Sequence, residues 1–154
     1  MSASTFTVRF VEHDWSRFSE AAELRYSVLQ APFGVARDDN WNDEDPARRH
    51  LVAIAADGRV VGYAQLLKGG DAQIRQIAVD PEWQGRGVGR ELVTTLIERA
   101  EADGLAEIWL NARVSAIGFY ERLGFEAVGG VFNTGRTSLP HRRMEYRPLR
   151  STSR

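Results

Sequence analysis

The spacing of hydrophobic and polar positions changes several times along the chain, and each change marks an element. Thr7 to Glu12 alternates, with Val8 and Phe10 set against Arg9 and Glu12, which predicts a first strand. His13-Asp14-Trp15-Ser16 breaks that pattern, and Ser16 or Asp14 is placed to cap a helix. From Arg17 to Gln30, Phe18, Ala21, Ala22, Leu24 and Val28, with Arg25 among them, recur at helical spacing until Pro32-Phe33-Gly34 stops them. Leu51 to Ala56 and Val60 to Leu67 predict two strands joined by the Asp57-Gly58 turn. Lys68-Gly69-Gly70-Asp71 then turns into a fourth strand, carrying Ile74 and Ile77 and ending at Val79.

After a break at Asp80-Pro81 and a glycine-rich run, Val88, Leu92, Leu96 and Ala100 recur every four residues. Val93 and Ile97 thicken the stripe, and Asp103-Gly104 ends the helix. Ala106 to Leu110 predicts a fifth strand, parallel to the fourth if the helix is a crossover. Ser115 to Leu123 predicts a short helix with Ser115 as its N-cap and Gly124 past its end. Phe125 to Val131 and Arg142 to Pro148 predict the last strands, with a loop from Phe132 to Leu139 between them.

Composition narrows the picture. The chain has 154 residues, 43% hydrophobic and 27% charged, which suits one globular domain. Twenty Lys and Arg against 21 Asp and Glu leave a net charge of -1, so nothing global favours nucleic acid or a membrane surface. Arg142, Arg143, Arg147, Arg150 and Arg154 form only a local basic tail. Without cysteine there is no disulfide, thiolate metal site or cysteine nucleophile, and three scattered histidines lack ligand spacing, so no metal is expected. The opening MSASTFTVRF has no leader-like pattern and no apolar run reaches spanning length, so a cytoplasmic location is expected. Arg37 to Arg49 gathers Asp38, Asp39, Asp43, Glu44 and Asp45 around Trp41. It reads either as a solvated acidic loop or as a wall that attracts a cationic amine.

The chemistry concentrates between the fourth strand and the long helix. Strand, glycine loop and helix start make an anion site: the first amides of a helix lack intrahelical partners, and the helix dipole adds positive charge there. Glycines bring that backbone close to a ligand, and Arg86 and Arg90 add cations at the same end. A phosphate-binding P-loop needs GK[ST] after its glycines, and a dinucleotide loop needs a third glycine where Arg90 stands. Gln84-x-x-Gly87-x-Gly89 instead resembles the R/Q-x-x-G-x-G/A signature of the GNAT superfamily of acyl-CoA-dependent N-acetyltransferases. Ala116, Tyr120, Gly124 and Phe125 resemble that family's A-x-x-x-Y-x-x-x-G-F element, in the right order and at the right separation. Leu24-Arg25-x-x-Val28, Asp43-Glu44 ahead of His50, Asn111-Ala112-Arg113 and Leu139-Pro140-His141-x-x-Met144 resemble its ElaA-like branch.

The resemblance covers roughly residues 8 to 147. It implies an α/β (α+β) GNAT fold: a mixed six- to seven-stranded sheet splayed between strands 4 and 5 and flanked by about four helices. It implies acetyl-CoA as co-substrate. The backbone of Ile77, Ala78 and Val79 would pair with the pantetheine arm, the amides of Gly85, Arg86, Gly87, Val88, Gly89 and Arg90 would hold the pyrophosphate, Asn111 would meet the pantetheine or the thioester end, and Gln84 and Phe119 would also contact the coenzyme. Arg122 either reaches a nucleotide phosphate or is an ordinary surface arginine.

The reaction so implied is attack of a neutral amine on the thioester. It needs a deprotonated amine, a stabilised oxyanion and a proton for the leaving thiolate. Tyr120 matches the family's acid, and the amide of Val79 or Ala78 its oxyanion donor. The glutamate base of the histone-modifying members falls here near Gln73, which cannot take a proton. His50 and His141 stand as bases in its place, with Glu44 and Asp45 as substitutes through water. His50 also reads as a structural strand residue and His141 as a turn cap, while Arg25 reads as an internal ion-pair partner of the acidic loop. The partner is a small-molecule or peptidyl amine, and a homodimer stays open. A non-catalytic acyl-CoA sensor on the same fold is the alternative function.

Overall fold

The fold was described from a computed structural model, which describes residues 5–36, 48–67, 72–105, 107–133 and 139–147. The acidic loop around Trp41 and the end of the basic tail lie outside the described residues.

Seven strands form one sheet in the order β1-β2-β3-β4-β5-β7-β6. They are β1 (Phe6–Val11), β2 (Arg48–Ala55), β3 (Val60–Leu67), β4 (Ala72–Val79), β5 (Ile108–Arg113), β6 (Phe125–Asn133) and β7 (Pro140–Tyr146). All pairings are antiparallel except β4 with β5, because α2 (Val88–Ala102) carries the chain back across the sheet between them. α1 (Phe18–Leu29) lies on the opposite face, and α3 (Ile117–Arg122) joins β5 to β6. Three α-helices are present among the described residues, fewer than the four expected. The remaining helical pieces are single 3-10 turns, among them Ala31–Phe33 and Pro81–Trp83. No described helix is long and apolar enough to cross a membrane.

The helix caps correct the sequence expectation. α1 has Arg17 at its N-cap and α3 has Ala116, each without a side-chain cap, so neither Ser16, Asp14 nor Ser115 caps a helix. The N-cap residue itself holds the first turn of α1, through its side chain. Arg17 pairs with Glu20 at 2.8 Å and also donates to the Gly58 carbonyl. The end of α2 behaves as expected. Gly104 adopts φ 74° and its N–H bonds the Glu101 carbonyl, while the Leu105 N–H reaches back to Ala100.

The main core lies between the sheet and α2, where Val88, Leu92, Val93, Leu96, Ile97 and Ala100 are buried against Leu51, Leu66, Ile74, Leu110 and Met144. This is the stripe read from the sequence. A smaller cluster of Phe18, Ala21, Leu24, Val52 and Tyr63 seats α1 on the other face. Gly62 of β3 sets how close α2 can come. A Cβ there would lie 2.7 Å from Val88 Cγ1, 3.0 Å from Ala53 Cβ and 3.1 Å from Leu92 Cδ1. Gly62→Ala is therefore expected to destabilise the fold by about 1–3 kcal/mol through overpacking. Thermal unfolding should show a Tm lower by on the order of 5 °C. An unchanged Tm would mean that α2 shifts freely on the sheet.

Candidate active site

The defining irregularity of the sheet is the pair β4 and β5. They are hydrogen-bonded at only two register positions, Ala72↔Ile108 and Gln73↔Trp109, although each strand runs on beyond them. A bulge in β4 accompanies the split. Tyr63 pairs with Ala78 and Gln65 with Arg75, so two β4 residues, Gln76 and Ile77, stand against the single residue Ala64. Gln76 takes up the bend at φ 58°, a conformation rare for a residue with a side chain. Past the split, the inner edge of β4 is free of a neighbouring strand.

The split opens into a cleft of about 810 Å³. Its walls come from both layers: Val28, Leu29 and Gln30 at the end of α1, and Gly85, Gly87, Gly89, Phe119 and Tyr120 from the α2 and α3 side. On the donor side the glycine loop enters α2. Gly85 and Gly87 have φ 81° and 89°, which only glycine adopts at little cost, and the loop needs both to turn from the Pro81–Trp83 segment into the helix. The first intrahelical bond runs from the Glu91 N–H to the Gly87 carbonyl, so the amides of Val88, Gly89 and Arg90 precede the ladder. Gln84 Nε2 donates to the Val79 carbonyl at 3.2 Å and ties the loop to the end of β4. Arg90 lines the cleft, whereas Arg86 rests over the Trp83 ring at 4.8 Å and stays exposed outside it. Arg122 is likewise exposed and outside the cleft walls. Val88 and Ala78 turn their side chains into the core, which leaves them only backbone to offer, while Ile77 and Val79 line the cleft.

Tyr120 and His141 reach the cleft from different elements. Tyr120 on α3 is 9% exposed, held edge-on by Phe119 at 5.0 Å and Phe125 at 5.9 Å. Burial pushes its phenol up to about 12, with the Arg113 guanidinium opposing the rise. The phenol therefore keeps its proton below about pH 12, through the range in which an amine substrate loses its own. His141 on β7 lies cross-strand from Arg113 on β5. Its Nδ1 is 2.8 Å from the Leu139 carbonyl oxygen. A carbonyl only accepts, so Nδ1 carries the proton and Nε2 keeps a basic lone pair. The turn-cap reading of His141 and a role in the cleft are thus compatible. Asn111 lines the cleft from β5, as does Gln73 from β4.

His50 is not among the residues that line the cleft. It is 1% exposed between β2 and α1, with Nδ1 2.6 Å from the Tyr63 hydroxyl and its ring edge-on to Phe18 at 4.7 Å. Its partner Tyr63 also accepts from Gln65 Nε2 at 2.9 Å, Gln65 accepts from Arg48 at 3.2 Å, and the Arg25 guanidinium lies 5.5 Å from the Tyr63 ring. Burial, and after it the Arg75 cation, holds the Arg48 guanidinium below its ordinary pKa. This network ties β2, β3 and α1 together beneath the cleft. Of its members only His50 and Arg25 were singled out in the sequence, because only strand register brings the others to them. Several cleft residues went unremarked as site residues, Gln30 and Arg113 among them; Gln30 stands in no motif, Arg113 was quoted only as part of Asn111-Ala112-Arg113, and the fold brings both to the wall. Near the chain end, Arg143 and Arg147 both pair with Glu145, at 2.9 and 2.6 Å, and Arg142 donates to the Gly129 carbonyl, so these arginines are engaged within the sheet. No group of three His, Asp or Glu able to hold a metal occurs among the described residues.

Comparison with known proteins agrees with this architecture. Residues 9–125 match the acetyltransferase (GNAT) family. The chain is 42% identical over 95 residues to the ribosomal protein bS18-alanine N-acetyltransferase of Salmonella typhimurium, covering 55% of this chain and 64% of that protein. The corresponding Escherichia coli protein is matched over 39% of its length, so the chain spans less than two thirds of these relatives. Against the Mycobacterium tuberculosis N-alpha-acetyltransferase RimI it is 33% identical over 125 residues, 72% of this chain and 77% of that one. Among solved structures, an acyl-CoA N-acyltransferase from Pseudomonas aeruginosa has the same fold with TM-score 0.78, at 22% identity over 93% of this chain and all of the other. Escherichia coli ElaA has it with TM-score 0.79, at 22% identity over 92% of this chain and 99% of the other. The split sheet, the glycine loop and the matched sequence together establish that the chain belongs to the acetyltransferase (GNAT) family.

Proposed function

We propose that the protein moves an acetyl group from acetyl-CoA to a primary amine by direct attack of the amine on the thioester. The observation that carries this reading is the cleft between β4 and β5, lined both by a glycine loop at a helix N-terminus and by a buried phenol. The residues present fit the donor. The β4 edge beyond Gln73 offers backbone groups to an extended amide-bearing arm, in the manner of strand addition. The amides from Gly85 to Arg90 and the Arg90 side chain suit a pyrophosphate. Acetyl-CoA supplies the activated acyl group; the chain orients it and moves the protons.

In this reading His141 Nε2 takes the proton of the amine, directly or through water, and Tyr120 gives a proton to the departing thiolate. The oxyanion falls to the Val79 amide rather than that of Ala78. The Asp80 N–H bonds the Val61 carbonyl on β3, so by strand alternation the Val79 N–H points away from β3, toward the split. His50 serves the buried network instead of the reaction.

The experiment is release of free thiol from acetyl-CoA across a panel of amines. Amine-dependent release supports the enzyme, whereas coenzyme binding with no release on any amine favours the sensor. Failure of calorimetry to detect coenzyme binding overturns both. His141→Gln is expected to lower kcat/KM at neutral pH by on the order of 10²-fold. A kcat/KM equal to the parent's would exclude His141 as the base.

A further inference from the structure

Among the described residues the cleft walls carry three arginines, Arg75, Arg90 and Arg113, and no carboxylate. Arg90, at the glycine loop, is accounted for by the phosphates of the donor. Arg113 is not. It closes β5 on the face turned away from the α2 core, since Leu110 and Ala112 are buried in that core and Arg113 alternates with them. Its guanidinium rests on the Phe33 ring at 4.8 Å and forms no ion pair with the described carboxylates. Stacking on an aromatic face fixes the plane of the fork and leaves its N–H edge to bind a planar or tetrahedral anion.

A second unsatisfied group lies in the same corner. The Gln30 carbonyl accepts the N–H groups of Phe33 and Val35, which joins the Phe33 turn to the end of α1. The Gln30 side chain lines the cleft at 8% exposure, and its Oε1 has no hydrogen-bond partner. Buried polar groups are nearly always paired, so an orphan amide oxygen in the same cleft as a guanidinium without an anion points to a ligand that donates a hydrogen to the one and offers an anion to the other. Cross-strand pairing of Arg113 with His141 puts this corner beside the base, so whatever Arg113 holds sits a few bonds from the reacting amine.

We propose, building on the acetyl-transfer reading, that the amine acceptor carries an anionic oxygen group close to its amine, a carboxylate or a phosphate. Arg113 receives that group as a bidentate partner, and Gln30 hydrogen-bonds the acceptor beside it. Read as a wall and not as a solvated loop, the acidic stretch around Trp41 would attract a cationic amine; the described walls of the cleft favour an acceptor that carries an anionic group as well.

The test compares matched acceptors by thiol release: an α-amino acid with its amide, a phosphorylated amino sugar with the unphosphorylated one, a polyamine, and a peptide with N-terminal alanine. The anionic member of a pair is expected to have kcat/KM higher by about tenfold or more, the value of one good charge-assisted contact. The pair that shows the preference tells carboxylate from phosphate. Arg113→Gln should collapse that ratio, and Arg113→Lys should restore part of it while coenzyme affinity is retained in both. Because the Arg113 charge also acts on the Tyr120 phenol, some loss common to all acceptors is expected, and the ratio separates recognition from it. A parent ratio of one or below, a preference for the polyamine or the peptide, or a ratio that survives Arg113→Gln overturns the proposal and leaves acetyl transfer standing. Thiol release with no amine at all overturns both.

Discussion

Tyr120→Phe is expected to lower kcat by about 10²- to 10³-fold, while the affinity for acetyl-CoA stays within a few-fold of the parent. The phenol is packed between Phe119 and Phe125, and the phenyl ring of the variant keeps those edge-on contacts, so the substitution removes a proton and little else. Burial pushes that proton's pKa up to about 12 and Arg113 pulls it back. Such an acid stays loaded throughout the pH range in which the amine loses its own proton. The parent's kcat/KM should accordingly show no alkaline limb from Tyr120 below about pH 12. The same pKa has a consequence for stability. The phenol is neutral in the folded chain up to about 12 but ionises near 10 when unfolded, so its contribution is full below about pH 10 and is lost as pH rises toward 12. Tyr120→Phe should lack that alkaline loss. Turnover equal to the parent's would remove Tyr120 from the chemistry.

Gly87→Val is expected to weaken acetyl-CoA binding by at least about tenfold, the worth of a hydrogen bond to a charged group. At φ 89° a branched side chain is strained, and the loop must shift to relieve it, which displaces the amides ahead of Glu91. Calorimetry with coenzyme A reads this without any turnover. Gly104→Ala is the control: it has φ 74° at the far end of α2, so it shares the folding penalty without touching the cleft. Equal affinity in both variants and the parent would mean that the glycine loop does not hold the donor. Tyr120→Phe then tests the reacting end of the cleft and Gly87→Val its anion end, and the two should be separable as kcat and Kd effects.

Most elements were legible because the side chains that define them answer to local rules. The four-residue recurrence from Val88 to Ala100 could only be a one-sided helix, and it is the face buried on the sheet. Likewise Asp57-Gly58 could only be a tight turn between strands, as it is between β2 and β3. The helix caps were misread for an equally local reason. A polar residue near a helix start is common, but Arg17 and Ala116 occupy the cap positions because neighbouring strands and turns fix where each helix begins.

The donor half of the site was readable too. Positive-φ glycines, a helix start and a tyrosine ahead of Gly-Phe work within short stretches of chain, where spacing alone carries the chemistry. The acceptor half was not. His50 and His141 look alike in sequence, each beside a predicted strand. Strand order buries one between β2 and α1, against Tyr63, and sets the other on a cleft wall. Arg113 gained meaning only from Phe33, 80 positions away, and from the absence of a carboxylate along the described walls. By itself, then, the sequence determined the fold, the glycine loop at the helix start and the tyrosine of the short helix. Tertiary structure decided which histidine lies on the cleft wall, which amide faces the split and what charge the described walls present. Those outcomes depend on strand register and on the bulge at Gln76, where distant side chains are brought together by backbone pairing that no local pattern encodes.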